Sequence, residues 1–207
     1  MKVQKKNLTL QESFDLAMQN HKKKRFKEAE YHYKEVLKRK PDHFQSNFLL
    51  GTLSAQTKKF NIAKKLFEKT IQIDPNYADT YNNLGNVQGE LGENHNAIMS
   101  YEKAIQINPN YAQAHNNLGA TYKKLGKLQN AKKNYEKAIQ INSNFADAHS
   151  NLGSIQKKLG NHKQAKNCYE KAIQLNPKHT DAHNNFGTLF YELREMEKAK
   201  NYFEKTI

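Results

Sequence analysis

The chain has 207 residues, a formal net charge of +14 and a mean hydropathy of −0.99. Leu, Ile, Val and Phe together number 42, about a fifth of the chain, close to the level below which a charged sequence cannot bury a core. No apolar run exceeds three residues, as in Phe48-Leu49-Leu50, which excludes a membrane-spanning helix. The single cysteine, Cys168, excludes an intrachain disulfide.

Residues 1–9 form a basic lead-in, with no apolar segment after Met1-Lys2-Val3-Gln4-Lys5-Lys6 to make a secretory leader; a reducing, cytoplasmic location is expected. From residue 10 onward the order of residues overrides the composition. Pro41, Pro75, Pro109 and Pro177 lie on a 34-residue grid, with Ser143 in the remaining slot. The same grid carries Ala29, Ala63, Ala97, Ala131, Ala165 and Ala199. An aromatic stands four residues after each, at Tyr33, Phe67, Tyr101, Tyr135, Tyr169 and Phe203. Gly51, Gly85, Gly119, Gly153 and Gly187 complete the pattern, with Ala17 in the first copy. Six copies therefore begin at 10, 44, 78, 112, 146 and 180, and the last stops after 28 of 34 positions.

Each copy predicts two helices. In the third, Ala78, Tyr81, Leu84, Val87 and Leu91 recur at helical steps of three and four. Gly92 permits the left-handed residue that ends this helix, as do Gly126 and Gly160 in later copies. Lys24, Lys58 and Arg194 occupy the slot elsewhere, at a conformational cost. A second helix runs through Ala97, Tyr101, Ala104 and Ile105 and stops near Asn108-Pro109, because proline disfavours helical backbone before it.

This pattern resembles the tetratricopeptide repeat family over residues 10–207. The family's first aromatic, four residues into each copy, survives only as Tyr81, with Ser13, Asn47, His115, His149 and His183 in the other slots. The resemblance implies an all-α fold, a right-handed α-solenoid of antiparallel helix pairs whose first helices line a concave groove.

Catalytic signatures are missing: the sequence holds no phosphate loop, dinucleotide fingerprint, HExxH or GxSxG motif. No enzyme activity and no cofactor are expected. His115, His149 and His183 occupy equivalent positions one repeat apart, about one helix diameter of ~10 Å, too far for ligands of one ion. They read as packing histidines. Cys168, with no companion ligand, reads as a core or boundary thiol.

The remaining signal is polar. Asn83, Asn117, Asn151 and Asn185 precede the Leu-Gly or Phe-Gly pair in four successive copies, and Asn82, Asn116 and Asn184 precede three of them. Asn is a mediocre helix former, and by the resemblance the ladder position faces the groove. A carboxamide both donates and accepts, so such a ladder suits a peptide backbone. The alternative is a set of inter-repeat hydrogen bonds that only hold the solenoid together. Lys123, Lys124, Lys157 and Lys158 lie six and seven residues beyond the ladder, where they read as a solvated face or as selectors of an acidic ligand.

A non-catalytic module that binds an extended protein or peptide ligand is the leading expectation. Its alternative is the substrate-recruiting arm of a larger enzyme. The Asn82-Asn83-Leu84-Gly85 style resembles the repeat arms of protein O-GlcNAc transferases, and the incomplete last copy suggests a chain that continues. The family's chaperone-tail clamp is not expected, because its fifth-position Lys is absent: Phe14, Phe48, Asn82, Asn116, Ser150 and Asn184 stand there. Nucleic acid is a minor alternative prompted by charge alone, since helical repeats that read RNA use stacking side chains rather than an Asn ladder.

Overall fold

The structure, a computed structural model, describes residues 8–205. Most of the basic lead-in lies outside the described residues. The chain divides into two compact units of three repeats each, residues 1–107 and 108–207.

The first unit contains α1 (Leu10–Lys22), α2 (Phe26–Arg39), α3 (Phe44–Gln56), α4 (Phe60–Ile73), α5 (Ala78–Glu90) and α6 (Asn94–Ile107). Consecutive helices pair as hairpins, α1 with α2, α3 with α4 and α5 with α6. The second helix of a pair then packs on the first helix of the next, α2 on α3 and α4 on α5. The second unit repeats this with α7 (Ala112–Lys124), α8 (Leu128–Ile141), α9 (Ala146–Lys158), α10 (His162–Leu175), α11 (Thr180–Glu192) and α12 (Met196–Glu204). Among the described residues every regular element is a helix, so the fold is all-α, a solenoid of antiparallel helix pairs.

Local chemistry sets the helix ends. Thr9 caps α1 reciprocally: its hydroxyl accepts from the Glu12 N–H at 3.1 Å, while the Glu12 carboxylate accepts from the Thr9 N–H at 2.8 Å. His43 and His179 cap α3 and α11 through Nδ1, which accepts from Ser46 N and Ala182 N, each at 3.2 Å. The turn inside each hairpin passes through the left-handed region. There Gly92, Gly126 and Gly160 take φ of 80°, 73° and 78°, and Lys24, Lys58 and Arg194 are held at 57°, 58° and 60°.

The five hairpins after the first each close on an aromatic ring laid over a glycine, and the first has Ala17 in that place. A Cβ added at Gly153 would stand 2.7 Å from the Tyr169 ring, and one at Gly119 2.8 Å from Tyr135, so only a hydrogen fits there. The ring is then sealed by the next repeat. Tyr33 packs with Leu50 and Leu53, Phe67 with Leu84 and Val87, Tyr135 with Leu152 and Ile155, and Tyr169 with Phe186 and Leu189. All four rings are fully buried. A few apolar residues per copy suffice because stacked repeats supply both walls of these four cores, which is how a chain with so few large aliphatics folds.

Candidate ligand-binding face

The first helices of successive repeats touch one another inside each unit, α3 with α5, α7 with α9, and α9 with α11. Their side chains meet along one face. In the first unit His21 of α1 stands 3.0 Å from Gln56 Oε1 of α3. In the second, Asn151 of α9 donates to Asn116 Oδ1 of α7 at 3.1 Å, and Lys157 of α9 pairs with Glu192 of α11 at 2.6 Å. His179 Nε2 lies 3.0 Å from the Asp147 carboxylate, joining the entry of α11 to the first turn of α9.

The ladder asparagines stand at the helix position of Asn151 in their own repeats and are half-buried: Asn83 on α5, Asn117 on α7, Asn151 on α9 and Asn185 on α11. Their preceding residues diverge. Asn82 and Asn116 are buried, whereas Asn184 is exposed. Asn116 is committed to Asn151, so that pair ties α7 to α9. Asn117 Oδ1 accepts from Gln113 on its own helix at 3.0 Å. Asn83 and Asn185 have no hydrogen-bond partner within the described residues, which leaves their carboxamides to solvent or a ligand.

The four lysines are not equivalent either. Lys157 is bound to Glu192, a carboxylate that sequence reasoning left unassigned because it lies 35 positions away. Lys123 is half-buried, and burial, with repulsion from Lys158, pulls its ammonium pKa down against a smaller upward pull from Asp181. Lys124 and Lys158 are exposed.

The first unit presents a different surface. Phe14 and Phe48 stand where the second unit carries Asn116, Ser150 and Asn184. Phe14 packs edge-on against His43 with ring centroids 5.0 Å apart, and Phe48 against Tyr77 at 5.3 Å. Twelve residues into their copies, Ala55 and Gly89 replace the lysines at 123 and 157. A cavity of about 340 Å³ opens beside them, lined by Phe60, Val87, Lys58 and Glu90 among others. Of the two small residues only Ala55 lines it.

Among the described residues, no group of three His, Cys, Asp or Glu side chains is placed to hold a metal ion. His115 meets Asn134 at 3.2 Å, His149 the Ser143 carbonyl at 3.0 Å and His183 the Pro177 carbonyl at 2.9 Å. His115 is thus turned to its own repeat, and His149 and His183 to the loop that ends the repeat before. Cys168 packs beside the Tyr135 core, where burial pushes its thiol pKa up to about 11; such a thiol is a poor nucleophile. No helix of the described residues is long and apolar enough to cross a membrane.

Sequence profiles for the tetratricopeptide repeat match residues 44–77, 66–99, 112–145, 146–179 and 180–207, and a profile described as TPR repeat matches 90–126. The chain belongs to the tetratricopeptide repeat family. A search of curated proteins returns no match. Among solved structures this tetratricopeptide repeat chain is similar to the MamA protein, at 28% identity and a TM-score of 0.72 over 82% of this chain and 92% of that one. It shares its fold with Pseudomonas aeruginosa pilF, at 17% identity and a TM-score of 0.81, covering 93% of this chain and 88% of the other. The fold is also that of YrrB, described as a TPR protein with an unusual peptide-binding site, at 20% identity and a TM-score of 0.64 over 84% and 90% of the two chains.

Proposed function

We propose that this tetratricopeptide repeat protein is a non-catalytic interaction module that holds an extended polypeptide along the faces of its first helices. The observation that carries the reading is the pair of half-buried carboxamides at Asn83 and Asn185, which stand at the ladder position and have no partner in the described residues. An Asn in a helix sacrifices propensity, and one that makes no internal bond returns nothing to the fold. A carboxamide that both donates and accepts matches the alternating N–H and C=O groups of an extended chain. The bond between Asn151 and Asn116 fits the opposite role, a fastener between repeats.

An acidic segment is the favoured ligand of the second unit. Lys123 is partly desolvated and repelled by Lys158, and its pKa is lowered in consequence. A ligand carboxylate placed between these ammonium groups would relieve both costs.

Selection of a random dodecapeptide phage library against the full chain, followed by the Asn83→Ala/Asn185→Ala double variant, tests the reading. Enriched peptides should bind the variant at least tenfold more weakly while helical circular dichroism and melting stay unchanged. Failure to enrich any peptide, or equal binding by the variant, would overturn it. Reversal of Lys123 and Lys158 to Glu should remove acidic sequences from the enriched pool; their persistence would discard the acidic preference.

A further inference from the structure

We infer that Lys123 and Lys158 together form a site for one doubly charged anion, the phosphate of a phosphorylated residue in the bound polypeptide. The inference rests on the polypeptide-binding reading above and deepens it, by naming the group that the second unit selects.

Spacing sets the two lysines against each other. Three contacts between the first helices of neighbouring repeats join residues 35 positions apart: His21 with Gln56 at 3.0 Å, Asn116 with Asn151 at 3.1 Å and Lys157 with Glu192 at 2.6 Å. Lys123 on α7 and Lys158 on α9 have the same separation. Each also stands seven residues beyond one member of the Asn116–Asn151 pair, two turns along the same helix faces. The bond between the asparagines fixes the register of α7 against α9, and two turns farther on that register brings two ammonium groups together.

In the three measured contacts the facing groups attract; here they repel. Neither Lys123 nor Lys158 is in a hydrogen bond or an ion pair among the described residues. The lowered pKa of Lys123, caused first by burial and then by Lys158, agrees with that repulsion. A lysine in the last turn of a helix is favoured by the helix dipole, which accounts for a cation on each helix but not for two set against each other across a seam.

The surroundings fix the charge of the occupant. Lys157, next to Lys158, is already neutralised by Glu192. Asp181, in the first turn of α11, exerts the smallest of the influences on Lys123 and makes no ion pair with either lysine. Two ammonium groups therefore remain to be matched, and a single carboxylate would leave one of them uncompensated. A phosphomonoester carries about −1.5 to −2 at pH 7 and three acceptor oxygens, enough to bridge both groups and cancel their repulsion.

The test uses fluorescein-labelled dodecapeptides of Gly and Asn with a central phosphoserine, aspartate or serine, titrated against the full chain by fluorescence anisotropy. At pH 7.5 the phosphoserine peptide should bind at least about tenfold more tightly than the serine peptide, and more tightly than the aspartate peptide. Its advantage over aspartate should shrink as pH falls through about 6, where the phosphate loses its second charge; an advantage that does not change would overturn recognition of a dianion. Lys123→Gln and Lys158→Gln should each bring the phosphoserine peptide down to the serine level, and Lys133→Gln, which removes the same charge from α8, should not. Equal losses in all three variants would show general charge attraction and overturn the site. Inorganic phosphate should displace the phosphoserine peptide only in large excess, and displacement at equal concentration would assign the lysines to the free ion instead. Without any ligand, the Lys123 ammonium followed by NMR should rise in pKa in Lys158→Gln, and an unchanged value would show that the two lysines do not face each other. Equal binding of phosphoserine and serine peptides, while peptides enriched against the ladder still bind, would overturn the anion site alone. Absence of binding by every peptide would overturn the polypeptide-binding reading with it.

Discussion

Asn151 in α9 donates through Nδ2 to Asn116 Oδ1 in α7 across 3.1 Å, so two residues of an apparently uniform asparagine array are spent on each other. Asn116 is buried, and loss of its partner would strand a polar group that water reaches poorly. The array is thereby divided between residues that fasten repeats and residues that face outward.

Replacement of Asn116 by Ala should therefore cost about 1 kcal/mol, the net worth of one such bond, and lower the melting temperature by about 2–4 °C for a chain of this size. Asn185→Ala should leave the melt within error. Thermal melts followed by circular dichroism compare the two, and equal shifts would show that the array is structurally uniform.

The repeat tyrosines differ in the same manner. Tyr101 donates its hydroxyl to Asn86 Oδ1 at 2.8 Å, whereas the hydroxyls of Tyr135 and Tyr169 are buried with no partner. Burial also pushes the pKa of both phenols up. Tyr101→Phe should destabilise by about 1 kcal/mol, while Tyr135→Phe and Tyr169→Phe should be neutral or stabilising by a similar amount, because each removes an unsatisfied group. Urea unfolding of the three variants measures this, and a loss at Tyr135 would reveal a hydrogen bond to an internal water.

Three hairpin turns store backbone strain. Lys24, Lys58 and Arg194 adopt φ between 57° and 60°, a region that costs a non-glycine residue roughly 1–2 kcal/mol. Each changed to Gly should stabilise its unit by about 0.5–1 kcal/mol, the gain being reduced by the greater freedom of glycine in the unfolded chain. Gly126→Ala should lose a comparable amount. Denaturant midpoints at unchanged m-value provide the measurement.

The cap of α3 makes the first unit sensitive to pH. His43 Nδ1 accepts from the Ser46 N–H at 3.2 Å and stands 2.9 Å from the Ser46 hydroxyl, so a proton added there removes the cap. Its pKa is lowered, first by burial and then by Lys40, against an upward pull from Asp42. Below an unfolded value near 6.5 the unfolded chain takes up a proton that the folded chain still refuses, so stability falls as pH drops from about 6.5 to the folded pKa and levels beneath it. His43→Asn keeps a capping oxygen and cannot titrate. The stability difference between wild type and variant, followed by urea unfolding at pH 5 to 7.5, should narrow or reverse toward acid; a constant difference would exclude His43 as its source.

Much of this molecule was legible in its period. The grid fixes six helix pairs and their turns, and it marks the five buried aromatics from Tyr33 to Tyr169, since each of these depends on contacts repeated from copy to copy; the sixth, Phe203, is exposed, and Tyr202 packs on the last core in its place. Individual pairings were not legible in the same way. Lys157 and Glu192 lie 35 positions apart, as do Asn116 and Asn151, and only stacking brings them within reach. Four lysines at matching positions look alike as letters, yet one is paired, one half-buried with a lowered pKa and two exposed.

By itself the sequence determined the element type, the hairpin unit and the residues that must be small, because backbone preference and local packing act over a few residues and recur on a fixed grid. Tertiary structure alone decided which polar groups are consumed by neighbours and which keep no partner within the described residues. Hydrogen bonding and desolvation depend on what stands across from a side chain, and for Asn116 and Lys157 that neighbour is one repeat away.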